Sequence, residues 1–315
     1  MRLTSAKPSL VLVTGAGSGI GRATAQEFAK GGAFVLVTDL DHETAEQTVA
    51  MIRGRGGRAQ GYILDVTSPS QWEDLAAIVI REHGVVDVLV NNAGLVVGGR
   101  FLDYTPADWD KQLGVNLLGV VHGCRVFGQQ MVDRGEGGHI VNIASAAAFT
   151  PTPVMSAYSV SKAGVKMLSE CLRLELGPHG IGVSAICPGV INTNIGINGV
   201  MVGVDDELAQ RSRDFQLRVQ EFTSRLPIQP MSPRLVARAA VRATRHDLAV
   251  VPVRTEAWLG YAMMRISPGL NRIATSAFTV ERAQKIGDRL LGSRKSAARA
   301  PAAQAQVREL DEVAG

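Results

Sequence analysis

The chain has 315 residues, 46% hydrophobic and 20% charged, which suffices for one large α/β domain or two small ones around a substantial core. Its formal charge of +4 comes mostly from arginines scattered along the chain rather than massed in one run, which argues against nucleic acid binding and for an anionic ligand or surface. Cys124, Cys171 and Cys187 lack metal-type spacing and read as reduced thiols of a cytosolic protein; no signal-type apolar run opens the chain, and no apolar run reaches membrane-span length.

Residues 9–14 (SLVLVT) form a short buried-strand pattern, followed by a glycine-rich turn and a helical pattern through Ala29. The pattern predicts strands at 33–39, 59–66, 86–94, 138–145, 180–189 and 248–253. Helices are predicted at 42–53, 70–84, 106–134 and 154–178. Strand and helix alternate throughout. This implies an α/β fold: a single Rossmann-like doubly wound parallel sheet of about seven strands, with helices on both faces. One domain is expected over residues 1–290, and 291–315, low in large apolar residues, reads as a flexible tail.

The turn "VTGAGSGIGRA" spans 13–23, between the first strand and the first helix. Gly15, Gly19 and Gly21 allow a tight turn and close approach of backbone to a pyrophosphate, beside Ser18 and Ile20 at the helix N-terminus. Asp39 ends the second strand, where a carboxylate accepts from a ribose 2′-hydroxyl and repels a 2′-phosphate. No basic residue follows it, so NAD is favoured over NADP. Arg22 is either a phosphate contact or a solvated helix residue.

The segment "AYSVSK" (157–162) places Tyr158 and Lys162 four positions apart, one above the other on a helix. A free tyrosine, with a pKa of about 10, is a poor base near neutrality. An ammonium at roughly 5 Å in an effective dielectric of about 20 lowers that pKa by about 2 units. That expectation makes Tyr158 a usable acid/base.

Thr14-Gly15-x-x-x-Gly19-x-Gly21, Asn91-Asn92-Ala93-Gly94, Ser145, Tyr158-x-x-x-Lys162 and Pro188-Gly189 occur in one order. Together they closely resemble the classical short-chain dehydrogenase/reductase family over about residues 9–195. The resemblance implies hydride transfer between NAD(P) and a secondary alcohol or ketone, with no metal. It implies Tyr158 as acid/base, Lys162 as its activator and a ribose ligand, and Ser145 as the group holding the substrate oxygen. Asn116, in "GVNLLG", would link Lys162 to a proton relay. Asp65 and Val66 would contact the adenine. Asn92, Ala93 and Gly94 would line the cofactor cleft, and Pro188, Gly189 and Thr193 would flank the nicotinamide.

Two stretches depart from the family's pattern. Residues 196–230 read as a long lid over the substrate. Residues 254–290 replace the usual ending by an extension with Leu259, Met263, Ile266, Leu270 and Ile273 at helical spacing, expected as two short amphipathic helices. That stripe either packs on this subunit or a partner subunit, or walls an apolar pocket, or meets a lipid surface. Both stretches favour a bulky apolar alcohol or ketone, lipid- or steroid-like, and a homodimer or homotetramer is expected. The alternatives are a dinucleotide-binding regulator without catalysis, and a sugar-nucleotide epimerase or dehydratase, whose Gly-x-x-Gly-x-x-Gly turn is absent.

Overall fold

The computed structural model describes residues 8–189, 199–203, 232–267 and 269. Its strands, in chain order, are β1 (Leu10–Thr14), β2 (Phe34–Asp39), β3 (Arg58–Ile63), β4 (Val88–Asn91), β5 (Val97–Gly98), β6 (Gly138–Ile143), β7 (Ile181–Pro188), β8 (Val200–Met201) and β9 (Val250–Val253). The helices are α1 (Gly19–Lys30), α2 (His42–Arg53), α3 (Pro69–Glu82), α4 (Pro106–Leu113), α5 (Gly119–Arg134), α6 (Ser156–Leu176), α7 (Pro233–His246) and α8 (Thr255–Ile266).

Seven strands form one parallel sheet in the order β3-β2-β1-β4-β6-β7-β9, as the strand–helix alternation requires. Successive strand residues face opposite sides, and both sides are covered. Leu12, Leu36, Leu89, Ile140 and Val183 pack towards Trp72, Phe127 and Val165 of α3, α5 and α6. Val11, Val13, Val35, Val37, Val90 and Val141 pack towards Phe28, Val49 and Val236 of α1, α2 and α7. Strand order reverses at β1/β4, so a crevice opens beyond the carboxyl ends of these two strands. β9 is an edge strand in this sheet and carries Pro252, which lacks the N–H donor that a central strand needs.

Helix starts follow local chemistry. Asp41 accepts from the backbone N–H of Glu43 and Thr44 to open α2, and Thr105 with Asp108 closes a capping box on α4.

Three features differ from the sequence expectation. The helix expected over 106–134 is interrupted by a π-helical turn at Gly114–Leu118, because the Asn116 amide is drawn into hydrogen bonds with the Leu95 backbone. A second, two-stranded sheet pairs Val97 with Val200 and Gly98 with Met201, a contact too short and too distant in sequence to leave a pattern. In the extension, α8 does not pack through the predicted stripe. Ala257 and Gly260 are its buried residues, Tyr261 meets Phe149 edge-on, and Leu259 and Ile266 are 60% and 84% exposed. The small residues seat the helix because Gly260 lies directly against Thr150, where a longer side chain has no room. Most of the expected lid, the second short helix and the tail lie outside the described residues. Among the described residues no helix is long and apolar enough to cross a membrane.

Candidate active site

The crevice holds a cavity of about 380 Å³. Gly15, Ser18, Gly19 and Ile20 form its β1–α1 side, and Asp39, Asp65 and Val66 its outer end. Asn92, Ala93 and Gly94 line it from the end of β4, and Ser145, Tyr158, Lys162, Pro188 and Gly189 close the other end. The sequence expectation placed all of these around one ligand, and they share one cleft. Thr193 lies outside the described residues.

The glycine turn is shaped as a cradle. Gly15 has φ +58°, and a Cβ there would lie 2.8 Å from the Ala93 Cα. Gly21 does not line the cavity; a Cβ on it would strike the Gly15 carbonyl oxygen, so its role is to let α1 close against the turn. The Ser18 side chain caps nothing, which leaves the unpaired N–H groups of the first turn of α1 available to an anion. Asn92 fastens the turn from the far side, its Nδ2 donating to the carbonyls of Thr14 (2.8 Å) and Gly15 (3.1 Å). Thr14 Oγ1 accepts from the backbone N–H of Asn92 and Ala93 at 2.9 and 3.0 Å, a tie the sequence did not single out.

Asp39 is held in place by its own loop: Oδ2 accepts from Gly17 N (2.8 Å) and Oδ1 from Asp41 N (3.2 Å). Asp65 Oδ1 accepts from Thr67 N and Thr67 Oγ1 at 2.9 and 2.7 Å, which fixes the loop after β3. Arg22 turns away from the cleft, donating to Thr48 Oγ1 and the Gly17 carbonyl, so it is a brace of the α1–α2 junction rather than a phosphate ligand.

At the inner end, Lys162 is buried and its Nζ donates to the Ile143 carbonyl (2.9 Å) while lying 5.9 Å from the centre of the Tyr158 ring. Burial pulls the Lys162 ammonium down to about 8. The Tyr158 phenol is pushed up by burial, with the facing Ser145 side chain pulling the other way. This corrects the expectation from spacing: in the protein alone, desolvation outweighs the ammonium, which is spent on a carbonyl rather than on the phenol. Asn116, fully buried, accepts from Leu95 N (2.9 Å) and donates to Leu95 O (3.0 Å) and Ser161 Oγ (3.2 Å). Asn116 and Lys162 both border the space over Gly94, where an added Cβ would lie 3.3 Å from Asn116 Oδ1 and 3.6 Å from Lys162 Nζ.

Several lining residues went unmarked in the sequence: Leu40, Leu64, Leu95, Val115 and Ala144. Each of the five adjoins a flagged residue, but single apolar residues give no separate signal. Gln112, buried on α4, holds the Leu95–Val97 segment by accepting from Val97 N (2.7 Å) and donating to Leu95 O (3.1 Å).

The chain matches the short chain dehydrogenase family over residues 9–199. It belongs to that family. Among relatives of this short-chain dehydrogenase, a protein of Mycobacterium tuberculosis named "Probable oxidoreductase EphD" is 45% identical over 262 residues, covering 82% of this chain and 43% of that protein. The chain thus spans less than half the length of the first relatives it matches. D-threitol dehydrogenase of Mycolicibacterium smegmatis is 38% identical over 187 residues, 59% of this chain and 72% of that enzyme. Among solved structures, a short-chain dehydrogenase/reductase from Burkholderia phymatum in complex with NAD superposes with a TM-score of 0.70 at 26% identity, covering 96% of this chain and all of that one. A metagenomic short-chain oxidoreductase in complex with NADP superposes at 0.62 with 29% identity, over 78% and 96% of the two chains. The chain is therefore a short-chain dehydrogenase family member with a Rossmann-like sheet.

Proposed function

We propose that the protein interconverts a secondary alcohol and a ketone, using NAD in preference to NADP. The observation that carries this reading is the convergence of Ser145, Tyr158 and Lys162 on one end of the cavity whose other end carries Asp39. The cradle at Gly15 and the open first turn of α1 fit a dinucleotide's pyrophosphate, and the fixed Asp39 carboxylate fits an unphosphorylated ribose better than a 2′-phosphate. Asp65 and Val66 would border the adenine, and Pro188 and Gly189 the nicotinamide. The cofactor, when bound, accepts or supplies the hydride.

The chain's own residues handle the proton and the geometry. Ser145 Oγ orients the substrate oxygen and stabilises charge developing on it. Tyr158 takes the hydroxyl proton in oxidation and returns it in reduction. Lys162 stands over the Tyr158 ring, so displacing its Nζ from the Ile143 carbonyl towards the ligand would bring positive charge to the phenol's side of the cleft and favour its ionised form. Asn116 keeps the Leu95 backbone and Ser161 in place behind Lys162 and Tyr158.

A bulky apolar substrate is supported by the lining near Ser145. Ile143 and Ala144 line the cavity beside Ser145 and are apolar, and the cavity's carboxylates, Asp39 and Asp65, stand at the opposite end. The outward-facing stripe on α8 does not contribute to this argument. Val160, Met167 and Leu174 form an exposed apolar row on α6, which supports self-association as a dimer or tetramer, and the free thiols suit a cytosolic setting. Tyr158→Phe tests the reading against a binding-only regulator. It keeps the ring and removes the proton carrier, so turnover should fall by at least about 10²-fold with NADH binding retained. Turnover near that of the unmodified enzyme would remove Tyr158 from the chemistry.

A further inference from the structure

On the side of the sheet covered by α1, α2 and α7, two adjoining cavities of about 450 and 320 Å³ form a groove between α1 and α7, and Glu27, Lys30 and Arg238 line both. Arg234, Arg238, Arg242 and Arg245 recur at spacings of four, four and three on α7, which puts them on one stripe of the helix. Val236, Ala237, Ala240 and Ala243 bury the other side. Lys30 and Arg55 complete the lining, so six cations face a single carboxylate, Glu27. That local charge exceeds the +4 of the whole chain. The arginines look scattered in sequence, but the fold gathers them.

Two arginines elsewhere in the protein are held in close ion pairs, Arg134 with Asp87 and Arg173 with Asp247. The four arginines of α7 are exposed, and none of them forms an ion pair among the described residues. Lys30 and Arg245 lie in the last turns of their helices, where a cation suits the helix dipole. That account fails for Arg234, in the first turn of α7, where the dipole disfavours a cation. The groove is also remote from the cofactor cradle. Lys30 is eleven residues beyond Gly19 on α1, about 16 Å along the axis. Beside the cations, Leu235 and Met51 are 37% and 41% exposed, Met51 touching Gln26, which in turn accepts from Arg55.

We propose that the α1–α7 groove seats the protein on an anionic phospholipid membrane surface, with the α7 arginines on lipid phosphates and Leu235 and Met51 at the apolar boundary. A row of unpaired cations along a helix, flanked by exposed apolar side chains, complements an extended sheet of anionic headgroups better than one small soluble anion. The proposal does not depend on the reaction assigned above.

The test is co-sedimentation of the full chain with phosphatidylcholine vesicles, with or without added phosphatidylglycerol. Binding is expected only with phosphatidylglycerol, falling as salt rises. Arg238→Gln and Arg242→Gln should each lower partitioning about fivefold, and the double variant about 25-fold. Their thermal transition and turnover on a water-soluble alcohol should be unchanged. If Arg238→Gln fails to fold, Arg242→Gln alone carries the test. No sedimentation at low salt would overturn the proposal, as would equal partitioning of the variants. Competition by millimolar inorganic phosphate would instead make the groove a soluble-anion site. Equal affinity for duplex DNA, or an arginine-dependent change in oligomer size without vesicles, would assign it to another polyanion or to a second copy, and either result would also overturn it.

Discussion

His139 provides a pH response that can be worked from the structure. It is fully buried on β6; its Nε2 pairs with Ser184 Oγ at 2.8 Å, and Ser184 donates onward to the Leu248 carbonyl. This leaves Nδ1 without a hydrogen bond, 4.0 Å from the Asp247 carboxylate, which Arg173 already neutralises. Burial is the main cause that pulls His139 down from 6.5 to about 4, against a smaller upward pull from Asp247. An unfolded histidine protonates near 6.5, so between about pH 6.5 and 4 the unfolded state binds the extra proton and the folded state does not. Stability therefore falls as pH falls through that window, by about 2.5 kcal/mol at pH 4.5 and about 3 kcal/mol in full. This is a large share of a typical total of about 5–15 kcal/mol. The assay is urea unfolding followed by tryptophan fluorescence between pH 7.5 and 4.5, on the unmodified protein and on His139→Gln, which keeps a donor for Ser184 but cannot titrate. The variant should start less stable and lose about 2.5 kcal/mol less on acidification. Parallel curves for the two proteins would refute the argument.

Three further outcomes bear on the site. Asp39→Ser should weaken NAD binding by about 10- to 100-fold, the worth of a charge-assisted hydrogen bond, and narrow the gap to NADP; an unmodified enzyme that already prefers NADP would contradict the role given to Asp39. Because burial raises the Tyr158 phenol, kcat/KM for alcohol oxidation should climb with pH beyond about 8, and a profile flat from about pH 6 upward would mean the phenol is already ionised in the free enzyme. Along a secondary-alcohol series, kcat/KM should rise up to about fourfold per added methylene until the pocket is full, whereas a preference for short polyols would rule out the apolar reading.

The residues that sequence reading assigned to one site and that the structure brings into one cleft are those whose pattern is local. The glycine turn, the Asp39 strand end and the Tyr158–Lys162 helix turn each declare themselves within a few residues, and the sheet's parallel order follows from alternation. What escaped depends on distant partners. The π turn at 114–118 exists because Asn116 reaches the backbone of Leu95. The face of α8 buried in this subunit is chosen by Phe149 and Thr150, more than a hundred positions away, so helical spacing could not tell it from the outward stripe. The direction of the Tyr158 shift was missed because charge proximity can be guessed from spacing, but burial cannot.

The π turn also governs which insertions and deletions this stretch tolerates. A π turn holds one residue more than the α-helical path it replaces, so the helix after it is rotated by about 100° relative to an unbroken continuation. In this protein that offset lets Gln112 and Asn116 both face the Leu95 segment while Cys124, Phe127 and Met131 face the sheet. Loss of any one residue from 114–118 would let the backbone heal into continuous α-helix, with its local hydrogen bonding improved. The two sets of side chains would then be out of phase, and either Asn116 would leave the site or Phe127 would leave the core. A substitution in the same five residues changes one contact, whereas a one-residue deletion turns the whole of α5.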